Sequence, residues 1–137
     1  MIKYGFLLVM FFFTLTGNAQ IFTDLEKTQN PVEWEASVNK LDSSRFELII
    51  DGVIDTDWHV YSQFTDTNGS LPLELEFLGS ESSYTLEGPT EEGETFTAYS
   101  EVFKVDETFF KDQARLSQTI SVTDSNVNFV KLILKYQ

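Results

Sequence analysis

The chain has no cysteine at all among its 137 residues. That excludes a disulfide framework, a thiolate metal site, an iron–sulfur centre and thiol catalysis by this chain alone. It has a single histidine, His59, which leaves no His-rich metal site and little basis for a His-dependent dyad. Basic residues are scarce: 9 against 22 acidic ones, a formal net charge of −13. Nucleic acid and anionic lipid would both be repelled by such a surface. Long apolar runs are also missing, apart from one near the N-terminus. What is present is hydrophobic (42%) and aromatic (15%) enough to require a packed core. The length suits one domain.

Residues 1–19 read as an export signal. Lys3 supplies the positive start, residues 6–15 form the apolar centre, and Gly17 and Ala19 are the small residues of a cleavage site. The apolar run is about half of the roughly 20 residues a membrane-spanning helix requires. No cysteine follows it for lipid attachment. The expected mature chain is periplasmic or secreted. It loses only Lys3 among its charges, leaving 8 basic against 22 acidic residues and a net −14, and it needs no membrane after processing. Residues 20–30 are a polar lead-in and 31–137 the folded domain.

The domain reads as strands. Trp34, Ala36 and Val38 alternate with Glu33, Glu35 and Ser37. Residues 45–55 are β-branched and aromatic; Asp51-Gly52 suits either a hairpin turn or a bulge in one long strand, and the apolar run through it favours the bulge. A short strand spans 58–62. Leu71, Leu73, Leu75 and Phe77 alternate with Glu74 and Glu76, and the pattern continues at Tyr84 and Leu86. Residues 88–93 (GPTEEG) read as an acidic turn-rich loop, and 101–110 alternate weakly. Leu116, Gln118, Ile120 and Val122 share one face; so do Val130, Leu132, Leu134 and Tyr136, with Lys131 and Lys135 opposite. After residue 20 no stretch carries a helical period. The expected fold is all-β, an immunoglobulin-like antiparallel β-sandwich, with Trp34, Leu48, Leu75, Ile120 and Leu132 in its core.

Candidate chemistry is sparse. His59 suits a structural role in an aromatic strand. Asp55, Asp57, Asp66 and Asn68 could offer oxygens to calcium, but Asp-rich turns bond their own backbone, and the spacing is not that of a calcium-binding loop. Glu91-Glu92 reads as a solvated loop pair rather than an acid/base pair. Ser62 lacks the glycine-flanked elbow of a serine hydrolase. Neither a cofactor nor a metal is expected, and no catalytic residue can be named.

One segment is more specific. Trp58-His59-Val60-Tyr61-Ser62-Gln63, preceded by Pro31-Val32-Glu33-Trp34 and followed by Tyr84-Thr85-Leu86-Glu87-Gly88 and Leu116-Ser117-Gln118-Thr119-Ile120, resembles the N-terminal periplasmic domain of the thiol:disulfide interchange protein DsbD, also described as a disulfide bond corrector domain. The resemblance spans about 31–137. It implies an immunoglobulin-like sandwich that passes electrons to thiol proteins through a cysteine pair at the end of the final strand. This chain stops at Gln137, about where the first of those cysteines would follow. Disulfide exchange requires a thiolate. The fold therefore carries over and the redox activity does not, so the chain is expected to be either redox-inactive or a truncated front piece of a longer thiol-interchange protein. Trp58, His59, Tyr61 and Ser62 are then family-motif residues of structural purpose. The expected partner is a thioredoxin-like periplasmic protein or a chain that completes a sheet. The alternative is a secreted immunoglobulin-like module that binds protein or glycan.

Overall fold

The structure, a computed structural model, describes residues 3–10, 30–79 and 82–137. Ten strands follow in chain order: β1 Lys3–Met10, β2 Val32–Lys40, β3 Arg45–Ile54, β4 His59–Tyr61, β5 Glu74–Leu78, β6 Tyr84–Glu92, β7 Phe96–Ser100, β8 Val105–Lys111, β9 Gln113–Val122 and β10 Phe129–Tyr136. There is no helix among the described residues. The cleavage-site glycine and alanine of the export reading, and nearly all of the polar lead-in, lie outside those residues.

Every pairing among the described strands is antiparallel. One sheet runs β2-β3-β9-β8-β4, with β6 also on β9 and β7 also on β8; the second is β1-β10-β5. Strands β8 and β9 share only the pair Lys111–Gln113, across Asp112 in the left-handed conformation (φ 64°). The large sheet turns a corner there. On one side β2, β3, β9 and β6 form a layer; on the other, β4, β8 and β7 form a three-stranded wing. The layer packs against the β1-β10-β5 sheet, and the rings of Trp34 on β2 and Tyr136 on β10 meet edge to face at 5.4 Å. The molecule is thus an antiparallel β-sandwich, as its alternation indicates.

The core is made by that alternation. Val32, Trp34 and Ala36 from β2, Phe46, Leu48, Ile50 and Ile54 from β3, Leu116 and Ile120 from β9, and Val130, Leu132, Leu134 and Tyr136 from β10 are all buried. Each large apolar side chain removed from water contributes about 1.5–3 kcal/mol, which is why period-2 patterning fixes which face turns inward. Of the expected core residues, Trp34, Leu48, Ile120 and Leu132 are buried and Leu75 is half-buried against the cluster.

Four local expectations need correction. Strand β3 is one long strand, as expected, but Gly52 makes no bulge: its register is unbroken with β2 from Phe46 to Ile54 and with β9 from Arg45 to Val53. Leu71 does not join the inward row of β5; the strand starts at Glu74, and Leu71 is exposed while Leu73 is buried in the core cluster. Residues 88–92 are strand rather than loop. They continue β6 past a register shift between Glu87 and Glu91, because the buried Gln118 amide donates to the Glu87 and Gly88 carbonyls and accepts from the Thr90 hydroxyl. The weakly alternating stretch 101–110 is half turn and half strand: β7 and β8 form a hairpin whose turn ends at Lys104 (φ 60°).

The described part of the segment read as an export signal, Lys3–Met10, forms β1 and lies at the margin of the second sheet among the described residues. It pairs with β10 from Lys3–Tyr136 to Met10–Phe129.

Candidate interaction surface

The motif residues enter β4 through a tight turn. Trp58 N–H donates to the Asp55 carbonyl at 3.0 Å, and Asp57 takes a left-handed conformation (φ 70°), one that aspartate tolerates better than most residues. Trp58 emerges 55% exposed. In β4 the alternation then sends Val60 into the core and His59 and Tyr61 to the outer face.

That outer face carries a transverse row of rings. Phe109 on β8 is paired with Tyr61 on one side and with Phe96 of β7 on the other. Paired side chains on adjacent antiparallel strands lie on the same face with Cβ atoms about 4.5–5.5 Å apart. Phe96 and Phe109 stack at 6.5 Å. His59 completes the group, edge-on to Tyr61 at 4.9 Å and tilted over Phe109 at 5.0 Å. Phe96 is 44% exposed, His59 is exposed, and Tyr61 and Phe109 are half-buried. His59 thus sits among aromatic rings, as its strand position suggests, but on an open face. Sequence reading missed Phe96, whose place in the row is set by the β7–β8 turn and not by its own neighbours in the chain.

Behind the row the chain is held rigidly. Ser62 is fully buried, and its hydroxyl donates to Glu92 Oε2 at 2.6 Å. Gln63 N–H donates to Glu92 Oε1 at 2.8 Å, its side-chain amide donates to the Thr90 carbonyl, and Phe64 N–H donates to Ser62 Oγ. Glu92 is therefore no solvated loop residue: it clamps the corner where β4 ends, and Ser62 is a structural hydroxyl. The same corner displays Phe64, 67% exposed.

A second carboxylate anchors the following loop. Glu107 on β8 is buried, and its Oε1 accepts from Ser70 N–H at 2.7 Å. Gly69 lies close beside it: a Cβ there would stand 2.7 Å from Glu107 Oε1, so the carboxylate would have to shift. Burial pushes the Glu107 carboxyl up. The Ser70 hydroxyl and amide, the Ser100 hydroxyl and the nearby His59 outweigh that and hold it below its ordinary value. Thr65 Oγ1 accepts from Thr108 N–H, which fastens the loop a second time.

Past Phe96 the row opens on a groove of about 560 Å³, whose walls include Lys111, Asp51 and Arg115. Arg115 and Asp51 close one side with a two-point ion pair at 2.7 and 2.8 Å. The residues considered for calcium do not converge. Asp66 accepts from the backbone and side-chain amides of Asn68 in a local turn, and among the described residues no three His, Asp or Glu side chains group as metal ligands. No described helix is long and apolar enough to cross a membrane.

Chemically, the face offers apolar contact, ring stacking and one imidazole. No family model matches the chain, and no curated protein or solved structure matches it either.

Proposed function

We propose that this chain is an exported β-sandwich that acts by binding rather than by catalysis: a redox-inactive relative of the DsbD N-terminal domain that docks a thioredoxin-like protein on the β4–β8–β7 face. The observation that carries this reading is the row Tyr61–Phe109–Phe96 with His59 beside it. Aromatic side chains dominate the energetics of protein interfaces because they bury much area at little entropic cost. A rigid backing favours recognition, since less ordering is lost on binding, and the Ser62–Glu92 and Ser70–Glu107 bonds provide it. Without cysteine, no mixed disulfide can form through this chain.

Calorimetric titration with a purified thioredoxin, in reduced and oxidised forms, tests the reading. Binding should be non-covalent and independent of the thioredoxin's redox state. Phe96→Ala should weaken it by about 30-fold, the equivalent of about 2 kcal/mol for an exposed aromatic anchor. Absence of binding, or binding indifferent to Phe96→Ala, would reject it. Saturable binding of a neutral oligosaccharide lost in the same variant would favour the glycan-binding alternative.

A further inference from the structure

We propose that the outer edge of β10 is a strand-acceptor site. In the unprocessed chain it is held by the chain's own Lys3–Met10; once that segment is removed it takes an extended, uncharged strand of a partner protein, added antiparallel. The proposal rests on the export reading for its release step and on the sheet geometry for the site.

Strand β10 is paired along both sides. On one side β5 meets it from Lys131–Leu78 to Lys135–Glu74. On the other β1 meets it over eight consecutive pairs, from Lys3–Tyr136 to Met10–Phe129. Among the described residues β1 is the margin of that sheet, so its removal takes away the strand paired along one whole side of β10. Val130, Leu132, Leu134 and Tyr136 of β10 belong to the buried cluster that β2, β3 and β9 also build. What β10 loses is its edge partner. The alternate N–H and C=O groups that point away from β5 lose their mates, beside side chains that are among the most buried in the molecule: Val130, Leu132 and Leu134. Such an edge is a template for strand addition.

Lysine often guards an edge against this. Here Lys135 is turned to the other side. Its Nζ lies 3.3 Å from Glu74 and 3.9 Å from Glu76, both on β5. Lys135 is therefore engaged by β5 rather than displayed along the other side.

The occupant's chemistry is set by the segment that fills the site. Lys3–Met10 carries one charge, at its first residue, followed by seven uncharged residues. Gly5, opposite Leu134, is not demanded by space: a Cβ there would meet Tyr136 Cε1 at 3.7 Å, an ordinary contact. The site therefore reads an extended backbone and apolar character rather than one sequence. A second copy of this chain is a poor occupant, because the processed chain carries a net −14 and two copies repel. A neutral or basic partner faces no such barrier.

The test uses the protein recovered after export, the unprocessed chain, and a labelled peptide with the sequence of Lys3–Met10 and a soluble tail. The exported protein should bind the peptide saturably, and amide exchange along Phe129–Tyr136 should slow on binding. A peptide carrying Gly5→Ala should bind within about twofold, since the added contact is ordinary. One carrying both Leu7→Pro and Leu8→Pro should bind about tenfold or more weakly, because the amides of successive residues point to opposite sides of a strand and one of the two prolines removes a donor to β10. The unprocessed chain should not bind. Equal binding of the proline peptide, or peptide binding by the unprocessed chain, would overturn the site. So would a monomeric exported protein whose β10 amides are already slow, which would mean that its own residues cover the edge, and so would a dimer protected there without peptide. Mass analysis of the exported N-terminus separates the two readings: an intact Met1 would reject release, while peptide binding by a chain starting at Gln20 still tests the acceptor edge.

Discussion

The indole of Trp34 occupies the space where Gly52 would carry a side chain. The two residues face each other across β2 and β3, and a Cβ at 52 would stand 2.7 Å from Cζ3 and 2.8 Å from Cε3 of the ring. Gly52 lies in a buried stretch of an unbroken strand, so its role is to admit a ring, and Trp34 in turn braces Tyr136, whose hydroxyl donates to Asn30 Oδ1. Gly52→Ala should destabilise the protein by about 1–3 kcal/mol through overpacking. Denaturant unfolding checks this, and an unchanged midpoint would show that the ring moves aside freely.

Gln118 holds a bulged strand from inside the core. Its amide nitrogen serves the carbonyls of Glu87, Gly88 and Thr119, and its oxygen serves Thr90. Gln118→Leu keeps the volume but strands these groups, each buried unpaired one costing about 1–3 kcal/mol. Amides of residues 84–92 should exchange faster in the variant while those of β3 keep their pattern. Uniform protection would contradict the role given to the side chain.

Glu107 should make stability depend on acid. Its carboxyl sits below the ordinary value of 4.5 in the folded state, so the unfolded chain binds the proton more readily. The stabilisation is complete above the unfolded value and is lost as pH falls through the folded one. Between neutrality and about pH 3, wild type should lose more stability than Glu107→Gln, which has no carboxyl to titrate. Parallel pH profiles for the two proteins would remove Glu107 from the account.

Much of the fold was legible because alternation is a physical consequence of a half-buried sheet. The rows Trp34-Ala36, Leu116-Gln118-Ile120 and Val130-Leu132-Leu134-Tyr136 could be read directly. Residues 88–92 could not, since Gly88 and Pro89 carry turn signals and the groups that make them a strand lie on Gln118, about thirty residues away. Leu71 was misplaced because Pro72 delays the strand, which periodicity alone does not register. The surface was half legible. Trp58, His59, Tyr61 and Ser62 stood out as a motif, yet its members divide: Ser62 is interior support, Trp58 and His59 are exposed, and the partners of Tyr61 in the ring row come from a hairpin whose turn the sequence barely marks. The clamp by Glu92 was hidden for the same reason as β6.

The redox reading gives a simple expectation. Incubated with an oxidised thioredoxin and then acid-trapped, the protein should appear only at its own mass, because it has no sulfur nucleophile to form the bond. A trapped covalent adduct that reductant releases would contradict it.

The most direct measurement is a hydrogen-exchange footprint of the protein in complex with thioredoxin. Protection should centre on residues 59–61, 96–98 and 107–109, the three strands that carry the ring row, and in Phe96→Ala should need a roughly 30-fold higher thioredoxin concentration to appear, while the free protein's exchange elsewhere is unchanged. A footprint on β2, β3 or β6, or no footprint at saturating thioredoxin, would contradict a function built on that face.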